Sequence, residues 1–361
     1  MRSPIHVLIV DDSALIRQML ARALALDSRI EVVGVARNGV EAIEKAKTLN
    51  PDVITLDIEM PELNGLEVLK ELPRHSSARV VVLSSLDDPE TTYQALSLGA
   101  VDFIPKPKAG MATSIDSVSD LLCKVIRIAN RAKPVQLQQG VFAPSVESEV
   151  DASPSRPEST APTRPGGAVQ SLVAIASSTG GPPALERVLA GLDASKSVAY
   201  VIVQHLPDGF HPSFAMRLSA VGALPVVIAE DGMLVEPGMA YLAPWGSHTL
   251  VERDGSHVRL RLTRSVPQLH GVRPAADPLF ESVAEVFGDS AVGVVLTGMG
   301  RDAADGMLAI KKAGGATVAQ DEETSVVWGM PGAAVRRKAV RRVVPLGLIA
   351  VEIRRSLRER V

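Results

Sequence analysis

Short apolar runs alternate with amphipathic stretches in two successive blocks, and this constrains the fold more than any other feature. In the first block "IHVLIVDD", "IEVVGVA", "PDVITLDIEMP", "ARVVVLSS" and "VDFIPKP" read as strands. Between them "SALIRQMLARALAL", "GVEAIEKAKTL", "LEVLKEL" and "DPETTYQALSLGA" read as helices, and "SVSDLLCKVIRIANR" ends the block as another. In the first helix Leu15, Met19 and Ala23 form one stripe, with Ile16, Leu20 and Leu24 beside it. Such alternation predicts α/β architecture, a doubly wound parallel sheet with helices on both faces. Aromatics make up 3% of the chain. The cores must therefore be aliphatic, as strands buried on both faces require.

The alternation stops at "RAKPVQLQQGVFAPSVESEVDASPSRPESTAPTRPGG", residues 131–167, which is rich in Pro, Ser, Glu and Gln. That composition cannot build a core and reads as a flexible linker. It separates a domain at 1–130 from a domain at 168–361. The second domain resumes with strands at "SLVAIAS", "AYVIVQ", "VVIAE", "MAYLAP", "SAVGVVLTG" and "GATVAQ", which predicts a second, mostly parallel sheet. "HTLVERDG" and "SHVRLRLTR" alternate at period two, which predicts a hairpin with an Asp-Gly turn.

Formal net charge is −3 over 361 residues. With no long basic run, nothing argues for a nucleic-acid partner. A single cysteine, Cys123, excludes an internal disulfide framework and a multi-cysteine metal site. It lies in an apolar helical run and reads as a buried thiol. The N-terminal apolar run is too short and too soon followed by acids for a signal peptide. No uninterrupted apolar stretch is long enough for membrane insertion. The expected location is the cytoplasm.

Function in a parallel sheet gathers at the C-terminal strand ends. Asp11 and Asp12 end the first strand, Asp57 the third, Ser84 and Ser85 the fourth, and Lys106 the fifth. Converging carboxylates repel one another and suit a divalent cation with oxygen ligands. A lysine beside them can neutralise a further anion such as a phosphoryl group. Singly, each residue also reads as a cap or a solvated loop residue; Asp12, for instance, can cap the helix that starts near Ser13.

With "VDDS", "LDIEMPELNGLEVL", "VVVLSS" and "GAVDFIPKP" in hand, residues 4–128 resemble the receiver domain of bacterial response regulators. The resemblance implies a flavodoxin-like fold and phosphorylation of Asp57 by a histidine kinase. It implies Mg²⁺ held by Asp11, Asp12 and Asp57 with the Glu59 carbonyl. Ser84 and Lys106 would contact the phosphoryl group, and Phe103 would fill an aromatic switch position.

In the second domain "AIASSTGGPPALERVL" hands a strand over to a helix with proline in its first turn. Free N–H groups there suit a phosphate, an oxyanion, or merely a structural turn. Nucleophilic hydrolysis needs a base and an orienting acid as well. Ser178, His205 in "QHLP" and Asp302 in "TGMGRDAADGM" each follow a strand and form one coherent set. Ser178 and Asp302 also read as helix caps, and "SSTGG" departs from the G-x-S-x-G elbow. It equally lacks the lysine of a phosphate-binding loop.

"SSTGGP", "VQHLPDGFHPSFAMRL", "EDGMLVEPGMAYLAP", "HGVRPAADPLF" and "LTGMGRDAADGM" together resemble the catalytic domain of the CheB methylesterase family. The resemblance implies a Rossmann-like α/β unit for that domain. The resemblance implies Ser178 as nucleophile, His205 as base and then acid, and Asp302 as orienting carboxylate. Thr179 and Met299 would support the oxyanion through backbone N–H groups. The substrates implied are glutamate methyl esters, and glutamines, on methyl-accepting chemoreceptors, with no cofactor for the ester chemistry. Arg217, His270 and Arg273 read equally as substrate-binding or structural. Two departures from the family pattern are visible: Ala176-Ser177 stands for Gly-Ala, and Ala303 for glycine.

Overall fold

A computed structural model describes residues 3–84, 88–106, 115–133 and 168–359. Ser85 and almost all of the stretch read as a linker, residues 134–167, lie outside the described residues. The first domain runs β1 (Ile5–Val10), α1 (Ala14–Leu24), β2 (Ile30–Ala36), α2 (Gly39–Leu49), β3 (Val53–Asp57), α3 (Gly65–Glu71), β4 (Arg79–Ser84), α4 (Pro89–Ser97), β5 (Asp102–Pro105) and α5 (Ile115–Ala129). Its five strands pair in the order β2-β1-β3-β4-β5, all parallel. The order reverses beside β1, so Asp11 and Asp57 face each other across the switch point where doubly wound sheets bind ligands. All five residues of β3 are buried, because helices cover both faces. Ser13, not Asp12, caps α1, its side chain accepting from the Ile16 N–H.

The second domain runs β6 (Ser171–Ser177), α6 (Gly181–Ala190), β7 (Val198–Gln204), α7 (His211–Ala220), β8 (Val226–Ile228), β9 (Ala240–Leu242), β10 (His248–Asp254), β11 (His257–Thr263), α8 (Ala276–Phe287), β12 (Ala291–Val295), α9 (Ala304–Lys312), β13 (Ala316–Gln320), α10 (Met330–Arg336), β14 (Arg342–Val344) and α11 (Ile349–Arg358). Seven strands form a sheet in the order β14-β13-β12-β6-β7-β9-β8. Every ladder in it is parallel. β10 and β11 form the separate antiparallel hairpin. Asp254 still pairs with His257, so the turn is Gly255-Ser256 rather than Asp-Gly, with Gly255 at φ +58°. Only glycine takes that conformation freely, and this moves the turn one residue on.

The two domains share a packed interface. Phe103 of β5 meets Phe210 with ring centroids 4.6 Å apart, and Tyr93 of α4 meets Phe214 at 5.4 Å. The Tyr93 hydroxyl donates to the Phe210 carbonyl at 2.9 Å. Lys133 donates its N–H to the Val326 carbonyl and its ammonium to the Glu322 carbonyl. Cys123 is buried beneath α1, near the Ala23 carbonyl. Among the described residues no helix is long and apolar enough to cross a membrane.

Candidate active site

In the first domain the carboxylates of Asp11, Asp12 and Asp57 come within 4.8 Å of one another. Asp57 Oδ1 accepts the Glu59 N–H at 3.1 Å and pairs with Lys106 Nζ at 2.6 Å. Asp11 Oδ1 accepts the Ser13 N–H at 2.9 Å. Their other oxygens, Asp11 Oδ2 and Asp57 Oδ2, are buried without a hydrogen-bond partner. Burial, with Asp57 adjacent, pushes Asp11 up to about 6. Burial also raises Asp57, against the pull of Lys106. Unpaired, desolvated carboxylate oxygens with one exposed neighbour, Asp12, fit a hard cation that takes oxygen ligands. Ser84 ends β4 at the same edge, its hydroxyl paired with that of Thr92.

The second site grows from three adjacent strands. β12 and β7 flank β6, so the residues that leave their C-terminal ends converge. His205 Nε2 lies 2.9 Å from Asp302 Oδ2. That carboxylate also accepts the N–H groups of Ala276 at 2.7 Å, Asp277 at 3.1 Å and Ala303 at 3.0 Å. The first turn of α8 thus points its free donors at Asp302, which suits an anion. Burial alone would raise this carboxyl, but His205 and the backbone amides overcome it and hold it below its ordinary value. Asp302 therefore does not cap α9, whose N-cap is Ala303. Ala303 reaches φ +71° despite its side chain, so the alanine takes the left-handed turn that glycine takes more cheaply.

Ser178 is the first residue after β6 and is half-buried. Its N–H donates to the Thr297 carbonyl at 3.1 Å, and a Cβ on Gly298 would lie 2.9 Å from its own Cβ. It caps no helix, since α6 starts from Gly180 at φ +73°. The described hydrogen bonds join His205 to Asp302 but not to Ser178. Ser177 is fully buried, with its hydroxyl on Gln204 Oε1 at 2.6 Å, so its oxygen is both enclosed and engaged. The Thr179 hydroxyl donates to Asp102 Oδ2 of the first domain at 2.6 Å. Met299 follows Gly298 and is partly exposed.

The remaining polar residues are tied up to different degrees. Arg217 pairs with Glu186 at 2.6 Å and with Glu90 of the first domain at 2.5 Å, which places it in the interface rather than free for substrate. His270 Nε2 holds Asp277 at 2.9 Å, while Arg301 Nε donates to its Nδ1 at 3.2 Å. Arg273 donates to the Val266 carbonyl, and its Nε is buried without a partner. His270, Asp277 and Asp302 also cluster, but both carboxylates are already filled by N–H donors. The sequence pattern missed Asp102 and the α8 N-terminus. The α8 N-cap is Ala275, with no side-chain cap to announce it.

Comparison with known proteins follows the same division. Residues 7–113 match the response regulator receiver domain, and residues 173–353 match the CheB methylesterase domain. A protein-glutamate methylesterase/protein-glutamine glutaminase of Xanthomonas oryzae pv. oryzae is 44% identical over 357 residues, covering 97% of this chain and 96% of its own. One from Pyrococcus abyssi is 40% identical, covering 98% and 94%. The crystal structure of the Thermotoga maritima CheB methylesterase catalytic domain is 37% identical, with TM-score 0.50, covering 53% of this chain and 98% of its own. With both domains matched in order and full-length relatives this similar, the chain belongs to the CheB methylesterase family, joined to a response regulator receiver domain.

Proposed function

We propose that the chain is a phosphorylation-regulated protein-glutamate methylesterase and protein-glutamine deamidase in which Ser178, His205 and Asp302 carry the chemistry. The observation that carries this reading is the 2.9 Å His205–Asp302 pair, beyond strands that flank the one leading into Ser178. With Nε2–H directed at Asp302, the lone pair of His205 is on Nδ1. That atom takes the Ser178 proton as Oγ attacks the γ-carbonyl of a glutamyl methyl ester. The N–H groups of Thr179 and Met299 receive the oxyanion; the Ser178 N–H is spent on Thr297. The intermediate collapses, His205 returns the proton, and methanol leaves. Water, deprotonated by the same imidazole, then cleaves the acyl-enzyme and frees Ser178. A glutamine follows the same path with ammonia leaving. Asp302 stays ionised and stabilises the imidazolium.

The receiver supplies control. Asp57 is the acceptor of a phosphoryl group from a chemotaxis-type histidine kinase, and Asp11, Asp12, Asp57 and the Glu59 carbonyl would hold Mg²⁺. When bound there, a divalent cation would supply charge screening between the phosphoryl group and the attacking carboxylate. Lys106 and Ser84 bind the transferred group. Unphosphorylated, the receiver docks beside the catalytic loop through Tyr93, Phe103 and the Asp102–Thr179 bond, and phosphorylation shifts that docking equilibrium. Membrane-bound chemoreceptors, met from the cytoplasm, are the substrates.

Methanol release from methylated receptor membranes tests the assignment. Ser178→Ala is expected to abolish it and Ser177→Ala to keep roughly a fifth or more of it. Retained release by Ser178→Ala overturns the nucleophile.

A further inference from the structure

The strands that present Ser178 and His205 stop pairing just before the two residues that matter. The last register pair between β6 and β7 is Ser177 with Gln204, and the His205 N–H closes the ladder on the Ser177 carbonyl at 3.1 Å. Beyond that rung the chains diverge, one into α6 and the other into the loop before α7. The carbonyls of Ser178 and His205 then have no strand neighbour to hold them at a fixed separation.

One side chain spans the gap. Gln204 is 1% exposed. Its Nε2 donates to the Ser178 carbonyl at 3.0 Å and to the His205 carbonyl at 3.0 Å. Its Oε1 accepts the Ser177 hydroxyl at 2.6 Å; the two carbonyls, which only accept, fix the NH₂ end of the amide toward themselves. A primary amide supplies both donors from one nitrogen and an acceptor beside them. Space for it is reserved by a glycine. A Cβ at Gly181 would stand 2.0 Å from Gln204 Oε1.

We propose that Gln204 is a positioning residue which sets the distance between nucleophile and base by bridging the carbonyls of Ser178 and His205. It touches no reacting atom, and the proposal rests on Ser178 and His205 acting as assigned above. Loss of the bridge leaves the Ser178 carbonyl with the Gly181 N–H alone, at 2.7 Å, takes the side-chain donor from the His205 carbonyl, and frees the two segments to drift apart. Misplacement of about an ångström costs roughly a hundredfold in rate. The effect falls on kcat, because substrate contacts are untouched.

The test uses the full chain, with kcat and KM from methanol release, the rate of Ser178 phosphonylation by a fluorophosphonate, and the melting temperature. Gln204→Glu keeps the shape and an acceptor for Ser177 but has no N–H to give. Gln204→Met keeps the volume and loses all three bonds. Both are expected to lower kcat and phosphonylation together by roughly 10- to 100-fold, with KM within about twofold. Ser177→Ala removes only the anchor and is expected to lower both by roughly three- to fivefold, in line with one neutral hydrogen bond. A purely structural side chain would lower the melting temperature and leave the phosphonylation rate of the folded protein unchanged, and that result overturns the proposal. If neither Gln204 variant folds, Ser177→Ala decides alone, and a wild-type phosphonylation rate overturns the proposal. Ser178→Ala separates the two levels. Activity in that variant defeats the catalytic reading itself, whereas an inactive Ser178→Ala beside fully active Gln204 variants defeats only the positioning role.

Discussion

Replacing Tyr93 tests the regulatory reading on a calculable scale. Its ring is 1% exposed and sits between the domains. Tyr93→Phe removes the hydroxyl from the Phe210 carbonyl, which still accepts from the Phe214 N–H and the Ser213 hydroxyl. No buried acceptor is orphaned, so docking weakens by about 1 kcal/mol, about a fivefold shift. Tyr93→Ala also loses the Phe214 ring contact, worth about 1 kcal/mol, and the Arg217 guanidinium, 5.7 Å over the ring. The latter contributes about 1 kcal/mol where partly desolvated. Removal of a buried aromatic ring costs about 3–5 kcal/mol altogether, part of it charged to the receiver's own fold. Docking therefore loses at least about 2 kcal/mol, or about thirtyfold. Where docking holds most of the protein inactive, basal activity rises by the same factor until every molecule is open. The assay is methanol release by unphosphorylated full-length protein, compared with the same protein treated with beryllofluoride and Mg²⁺. Graded rises for Phe and then Ala, with the stimulated rate unchanged, are expected. A folded Tyr93→Ala with wild-type basal activity refutes the reasoning. Glu90→Ala serves as the control. Its carboxylate is largely exposed, so loss of the Arg217 ion pair is expected to change basal activity less than about fivefold.

Other outcomes follow from single features. His211 is buried at the start of α7 with neither ring nitrogen paired, and burial lowers it from 6.5 to about 4, with Asp208 opposing weakly. Between those values the unfolded chain takes up a proton that the native state refuses, so stability falls as pH drops from 6.5 toward 4, by about 3 kcal/mol. His211→Phe should flatten that part of a denaturation-versus-pH curve, and an unchanged slope counts against the assignment. Asp302→Asn puts an amide NH₂ among four N–H donors and is expected to cut kcat on the order of 10³- to 10⁴-fold, read by methanol release; a loss under tenfold contradicts its role. Ala303→Gly relieves a left-handed alanine worth about 1–2 kcal/mol but loses a buried methyl worth about 0.8 kcal/mol. Its net change in urea denaturation should stay within about 1 kcal/mol with kcat unaltered, and a loss above about 2 kcal/mol refutes the strain argument.

The strands and their order of use were legible because their signals are local. Each of Ser178, His205 and Asp302 follows an apolar run that can only be a buried strand, and a parallel sheet puts such residues on one edge. What local pattern could not reach is what those residues touch. Asp302 reads as a cap for the helix that follows it, yet two of its four donors come from Ala276 and Asp277, more than twenty residues upstream. In the sequence only the family resemblance separates Ser178 from Ser177; burial and Gln204 give the physical distinction once β6 and β7 are in register. Arg217 stayed open between substrate binding and a structural role because its partner Glu90 lies 127 positions away, on another domain. The hairpin turn slipped by one residue because Asp-Gly and Gly-Ser are both good turn pairs, and only the cross-strand register chooses between them.

The geometry also explains how charge at one site can reach the other. Lys106, paired with Asp57, adjoins β5, whose four residues include Asp102 and Phe103. At about 3.3 Å per residue, the lysine and Asp102 are only about 13 Å apart along the strand. Asp102 and Phe103 are the residues that meet Thr179 and Phe210. A second route runs through Ser84, whose hydroxyl is bonded to Thr92, the neighbour of Tyr93. A phosphoryl group on Asp57 adds up to two negative charges and three strong acceptors, and it competes for both Lys106 and the Ser84 hydroxyl. Either movement disturbs an aromatic ring of the interface. On the proposed reading the docked state is sensitive to Asp57 because the residues assigned to the phosphoryl group and the docking residues share one short strand and one helix.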